Sequence, residues 1–157
     1  MPAVRVESTP AGYRLVATAA FAGGDIVLIM HGIECTSPTR YTVQIGPGLH
    51  LAPENYSGGL DTTNQCEWMY TNHSCSPNTI IRNRSLIALC AINPGDEITF
   101  DYETTEFEMT EPFACGCGST CCRGLIRGYR FRNETQSREP VLETATCLSD
   151  TKPDTEN

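Results

Sequence analysis

Three short segments hold the residues most able to do chemistry. They are Asn72-His73-Ser74-Cys75-Ser76-Pro77-Asn78, then Gly95-Asp96-Glu97-Ile98-Thr99-Phe100-Asp101-Tyr102, then Cys115-Gly116-Cys117 with Cys122-Arg123-Gly124. The cysteines carry the strongest signal. Two thiolates one residue apart, with a third within a turn, can occupy three corners of a zinc tetrahedron, and a fourth ligand must come from elsewhere. C-x-C is tighter than the common spacer, so this cluster alone does not define a zinc finger. The other segments also admit plain structural readings. His73 can be a hydrogen-bonded structural residue, Cys75 can pack as a small hydrophobe, and Tyr102 can be half-buried core with a satisfied hydroxyl.

Short strands must position these groups. Ile26–Met30 is an apolar run after the turn-like Ala22-Gly23-Gly24-Asp25, and Tyr41–Ile45 alternates before Gly46-Pro47-Gly48. Thr79–Arg82 and Leu86–Ile92 read as a strand pair across Asn83-Arg84-Ser85. Asn93-Pro94-Gly95-Asp96 is a turn that feeds the strand Ile98–Phe100. Only Asn64–Tyr70 reads as helical, so the expected class is mainly β with small sheets.

Composition narrows the function classes. The chain has 157 residues, 39% of them hydrophobic, which suits a single domain with a real core. No run of 18 apolar residues exists to span a bilayer. MPAVRVESTPAG lacks the apolar stretch of a secretory signal, so we expect an intracellular protein, nuclear or cytoplasmic. Nineteen acids against eleven bases give a net charge of −8, and Lys152 is the only lysine. Such a chain is a poor binder of phosphate backbones, so no direct nucleic-acid binding and no membrane partner are expected. Nine cysteines without a signal point to reduced thiols and metal. The sequons at Asn55, Asn72, Asn83 and Asn133 then read as chance. Beyond Ser137 the polar, acidic composition suggests a disordered tail, 137–157.

In this order and spacing the three segments resemble a SET domain followed by a post-SET zinc motif, found in protein lysine methyltransferases that use S-adenosylmethionine. NHSCSPN, GDEITFDY and CGCGSTCCRG carry the resemblance, with a weaker match in AGYRLVATAAFAGGDIVLIMHG. The resemblance implies a domain over 1–124, an extension over 125–136, and small antiparallel sheets. The NHSC segment would be threaded beneath a loop formed after FDY, a knot-like exception to the usual rule.

Roles follow from the matching positions. Tyr102 matches the active-site tyrosine, Phe100 the position that sets how many methyl groups fit, and Tyr41 a second channel tyrosine. Gly12, Tyr13, Arg14, Tyr70, Asn72 and His73 match the cofactor site. Cys75, Cys115, Cys117 and Cys122 match four zinc ligands, which would couple metal binding to completion of the site. Methyl transfer to an amine needs a neutral nitrogen, alignment and shielding more than a strong base.

The sequence departs from the family pattern in places. The opening Gly-x-Gly reads Gly12-Tyr13-Arg14, and the usual Arg-Phe before NHSC reads Met69-Tyr70. Cys121 competes with Cys122, which is preferred because Arg-Gly follows it. Asp101, Glu103, Glu106, Glu108 and Glu111 form an acidic run that could dock a basic peptide, or pair with Arg123, Arg127, Arg130, Arg132 and Arg138. The leading expectation is methylation of a lysine in a basic protein or peptide such as a histone. An enzyme acting on a small-molecule substrate, by methyl transfer or a repurposed reaction such as cyclisation, and a non-catalytic binding module are the alternatives.

Overall fold

The computed structural model describes residues 2–54 and 66–132. Twelve short strands and three 3₁₀ turns make up the described chain, and no described helix is long enough to cross a membrane. The expectation of small, mostly antiparallel sheets holds. β1 (Val4–Thr9) pairs with β2 (Gly12–Ala17). β3 (Ile26–Ile29) joins β9 (Ser85–Ala88) and β8 (Thr79–Arg82) in one three-stranded sheet. β4 (Ile33–Cys35), β6 (Leu49–Ala52) and β5 (Val43–Gly46) form another. Leu15, Met30, Leu51, Leu86, Ile92 and Ile98 are almost wholly buried where these sheets meet. Burial of such aliphatic side chains supplies roughly 1.5–3 kcal/mol each.

Element boundaries shift from the sequence expectation for local reasons. The β8–β9 hairpin turns on Asn83 and Arg84 alone, both at positive φ (47° and 61°), so Ser85 joins the strand. That left-handed two-residue turn matches the twist of the paired strands. Arg84 is held there by Glu34 at 3.3 Å. Tyr41 lies outside β5, because Thr39 and Thr42 exchange hydrogen bonds and make a turn first. Alternation along β5 also fails: Val43 and Gln44 are both buried and the register slips between Gln44 and Gly46. The helical expectation at Asn64–Tyr70 reduces to a 3₁₀ turn, Glu67–Tyr70, with residues 64 and 65 outside the described set.

Two strands of the motif segments lie side by side. β7 (Asn72–His73) runs parallel to β10 (Thr99–Phe100). The chain then makes a 3₁₀ turn at Tyr102–Thr104, passes through β11 (Phe113–Ala114) and the cysteine loop, and returns as β12 (Leu125–Ile126), antiparallel to β11. Its closure is tight. The Arg127 and Gly128 N–H groups donate to Glu103 Oε1 at 3.1 Å, and the Met109 N–H donates to the Arg127 carbonyl at 2.8 Å. Gly128 sits at φ 110°, and a Cβ there would lie 2.5 Å from the Phe107 carbonyl oxygen, so only glycine fits this crossing. Residues 125–132 are thus part of the domain's closure. The tail expected over 137–157 lies outside the described residues.

Candidate active site and metal centre

The cysteine cluster assembles across the chain. Cys75, from the loop after β7, meets Cys115, Cys117 and Cys122, and all four Sγ atoms lie within 4.8 Å of one another. Cys75 and Cys115 are 3.8 Å apart. Four sulfurs at about 2.3 Å from a central zinc stand about 3.8 Å from each other, so the set fits a tetrahedral zinc. Cys121 turns away: its Sγ meets Ser119 Oγ at 3.0 Å and the Cys75 carbonyl at 3.5 Å. The Arg123 N–H approaches Cys75 Sγ at 3.4 Å, a donor suited to a thiolate. Seven described cysteines are free thiols, in line with the expected reduced set.

His73 links this cluster to Tyr102. Its Nδ1 accepts from the Tyr102 N–H at 3.1 Å, which leaves the proton on Nε2, 3.3 Å from Cys75 Sγ. Burial lowers its pKa, with the Asp101 charge opposing, so the imidazole is neutral. The 3.6 Å approach to Asp101 is therefore not an ion pair. With its side chain 2% exposed and both ring nitrogens engaged, His73 offers a cofactor its backbone, one of the two routes expected of Asn72 and His73. Only its backbone can serve.

The remaining cofactor positions form a shelf beside β2. The Asn72 amide donates to the Tyr13 carbonyl and to Glu97 Oε1, each at 2.9 Å, and the Tyr13 and Tyr70 rings meet edge-on at 5.4 Å. Gly12 has φ 132° with open space where a Cβ would point. Arg14 is drawn away to Glu7, its partner in register on β1, at 2.8 Å. That pair leaves the shelf clear and takes Arg14 out of the expected cofactor set.

Behind the shelf lies a cavity of about 340 Å³ lined by Tyr41, Trp68, Met69, Thr71, Phe100, Tyr102 and Glu106, among others. Trp68, Met69 and Thr71 line the cavity, whereas Tyr70 and Asn72 reach Tyr13, so this stretch separates cavity from shelf. The Tyr102 hydroxyl donates to the Thr71 carbonyl at 2.8 Å, at the boundary between them. Burial first, then the Glu106 and Glu97 charges, push the Tyr102 phenol far up, so it stays protonated at any working pH. Phe100 packs 4.7 Å from the Tyr102 ring. Tyr41 stands at the cavity's outer part, where the residue is 41% exposed and its ring carries Arg40 at 5.3 Å. The three expected catalytic positions thus line one cavity.

Two cavity groups escaped the sequence reading. Thr71 is 2% exposed and its hydroxyl has no hydrogen-bond partner. Glu106 is buried, accepts from the Gln44 N–H at 2.7 Å, and is pushed up to about 7, chiefly by burial. A signal for Glu106 existed, because its N–H donates to the Tyr102 carbonyl and the spacing of four sets both groups on one turn. The rest of the acidic run pairs with arginine, the alternative the sequence left open, which weakens its reading as a docking edge. Asp101 pairs with Arg123 and Arg132 at 2.5 and 2.8 Å, Glu103 with Arg132 at 3.3 Å, Glu108 with Arg130, and Glu111 with Arg40 at 3.6 Å. Arg123 Nε lies 2.9 Å from Glu103 Oε2 but is misaligned for a hydrogen bond, so that contact is ionic only.

Comparison with known proteins places this architecture of small sheets closed by a four-cysteine cluster beside a cavity. The SET domain model matches residues 12–103, and the chain belongs to the SET-domain family. The chain is 35% identical over 117 residues to "Methyltransferase flvH" of Aspergillus flavus, covering 68% of this chain and 56% of that protein. It is 25% identical over 157 residues to the putative histone-lysine N-methyltransferase ASHH4 of Arabidopsis thaliana, covering 90% of this chain and 44% of that protein. The chain therefore spans about half the length of these curated relatives. A crystal structure of KRYPTONITE in complex with mCHG DNA and SAH shares the fold, with TM-score 0.57 and 21% identity over 75% of this chain and 27% of that one.

Proposed function

We propose that this protein is an S-adenosylmethionine-dependent N-methyltransferase whose substrate is a lysine side chain of a basic protein or peptide. The observation that carries the reading is the Tyr102 hydroxyl, fixed on the Thr71 carbonyl where the shelf and the cavity meet. S-adenosylmethionine, when bound, supplies an electrophilic sulfonium methyl. Tyr13, Tyr70 and Asn72 would hold it on the shelf, and an amine entering past Tyr41 and Phe100 would meet the methyl beside Tyr102. The phenol stays protonated, so it orients the nitrogen and does not act as base. Phe100 lacks a hydroxyl, which leaves room for more than one methyl group. In support, several relatives are named histone-lysine N-methyltransferases, and a second KRYPTONITE structure contains an H3(1-15) peptide and SAH.

A second reading, a small amine substrate, draws on the channel mouth. Arg40 and Glu111 form a charged pair lining the cavity, which suits a zwitterion.

Tyr102→Phe tests the proposal. Single-turnover methylation of an H3 peptide should fall ~10²-fold or more, as for loss of a group acting mainly in the transition state, while SAH affinity stays within a few-fold. Unchanged peptide methylation by the variant would remove Tyr102 from the chemistry.

A further inference from the structure

The channel needs a place for a proton. An alkyl ammonium carries one at neutral pH, whereas the nitrogen must be neutral to attack a methyl group. Tyr102 cannot accept it, being itself held protonated by burial and by neighbouring carboxylates. Among the described residues lining the cavity, the carboxylates are Glu106 and Glu111. Glu111 is exposed at the mouth and occupied by Arg40. Glu106 is buried, sits one turn from Tyr102, and shares the cavity with the unpartnered Thr71 hydroxyl.

We propose that Glu106 is the proton acceptor for the substrate amine and that the Thr71 hydroxyl holds that amine beside it. The inference rests on the methyltransferase reading and deepens it. The substrate ammonium gives its proton to the Glu106 carboxylate, leaving a neutral amine and a carboxylic acid. The nitrogen lone pair then forms the N–C bond to the methyl of the sulfonium donor while the C–S bond breaks. Its electron pair stays on sulfur, giving a neutral thioether and a methylated ammonium. Glu106 returns its proton to solvent before the next turnover.

The surroundings suit a carboxyl that alternates between two states. Its own hydrogen bonds come from the Gln44 backbone and the Thr105 side chain, and burial pushes its pKa up to about 7. The charged or titratable groups on the elements around it are Tyr102 and Glu103 on its own turn, Tyr41, Arg40 and Glu111 towards the mouth, His50 opposite Gln44 in register, and Tyr129 and Arg130, whose N–H groups donate to the Glu106 and Phe107 carbonyls. Glu103 is paired with Arg132 and Arg130 with Glu108. Burial also lowers His50, which keeps that imidazole neutral, and Arg40 is committed to Glu111. Apart from any proton already on it, nothing else in this set satisfies the Glu106 charge.

Zinc-loaded protein titrated with butylammonium chloride tests this without turnover, with 1-pentanol as the neutral probe of similar length. Glu106→Gln should weaken butylammonium binding at least tenfold and leave pentanol unchanged. In wild-type protein labelled at the glutamate carboxyl carbon, butylammonium should shift the Glu106 resonance. Equal butylammonium binding by wild type and Glu106→Gln, or an unmoved resonance, overturns the proposal. Should Glu106→Gln fail to fold, the wild-type resonance decides. SAH calorimetry on the same samples separates the two ideas: absent SAH binding defeats the methyltransferase reading, whatever butylammonium does. Butylammonium binding that survives Glu106→Gln, with SAH binding intact, defeats Glu106 alone.

Discussion

A buried carboxyl with a raised pKa opposes folding at neutral pH, and Glu106→Gln removes that penalty. Gln keeps the shape and still accepts from the Gln44 N–H, which reaches Oε1 at 2.7 Å. Burial lifts the carboxyl from 4.5 to about 7 against the pull of its two hydrogen bonds. Below pH 4.5 the folded and unfolded states both carry the proton, so no difference arises. Between pH 4.5 and 7 the unfolded state ionises while the folded state does not, and the wild type loses stability. Above pH 7 the loss is complete. At about 1.4 kcal/mol per pH unit the full effect is on the order of 3 kcal/mol. Urea denaturation of both proteins at pH 5, 6, 7 and 8 with zinc held constant should show Glu106→Gln gaining on the wild type through this window. The gain corresponds to a midpoint difference of more than ~1 M at typical slopes. A difference that stays flat with pH would refute the reasoning, since it would mean that the folded carboxyl ionises as freely as the unfolded one.

Other outcomes follow from the same geometry. Cys122→Ser should abolish stoichiometric zinc, whereas Cys121→Ser should retain it, as measured by metal analysis after dialysis. Glu103→Ala should cost about 3–5 kcal/mol, the usual loss when one partner of a buried ion pair is removed. It strips the acceptor from the Arg127 and Gly128 N–H groups and leaves Arg132 with Asp101 only, so the urea midpoint should fall by about 2 M. Asn72→Ala should weaken SAH binding by at least about tenfold, or ~1.4 kcal/mol, because the Tyr13 carbonyl loses its tether, with zinc content unchanged.

Much of this was legible in the sequence because it is written in local chemistry. The clustered cysteines, Tyr102 and Phe100 lie in contiguous motifs; residue type alone left each ambiguous, and it was the order and spacing of the motifs that pointed to one site. The strand edges were less legible. Tyr41 alternates correctly with Val43, yet two threonines bond each other first and divert the chain. Gln44 reads as the outward polar residue of a strand and is instead buried, where its side-chain oxygen accepts from the Phe107 N–H at 2.8 Å. The first turns on a local side-chain bond that alternation does not report, the second on a partner distant in sequence. The acidic run misled for the same reason: a row of like charges shows neither which member meets an arginine nor which enters a cavity. Arg14 and His73 matched cofactor positions, but Glu7 and Tyr102 claim their side chains.

These cross-chain partners also explain how a distant metal could set the geometry of the channel. Cys75 Sγ faces His73 Nε2, and His73 Nδ1 receives the Tyr102 N–H. One imidazole thus joins a member of the cysteine cluster to the backbone of Tyr102, the residue proposed to orient the amine. A second path runs through Arg123, whose N–H meets Cys75 Sγ and whose guanidinium grips Asp101, the residue before Tyr102. Asp101 in turn caps the Tyr102–Thr104 turn by accepting from the Glu103 N–H at 3.0 Å. Releasing the metal would let Cys75 and the Cys115–Cys122 loop separate, and both paths would slacken at Tyr102. A metal held by the four cysteines would therefore stabilise the crossing and the Tyr102–Thr104 turn as one unit, since a structural zinc contributes its binding energy only to the arrangement that holds all its ligands.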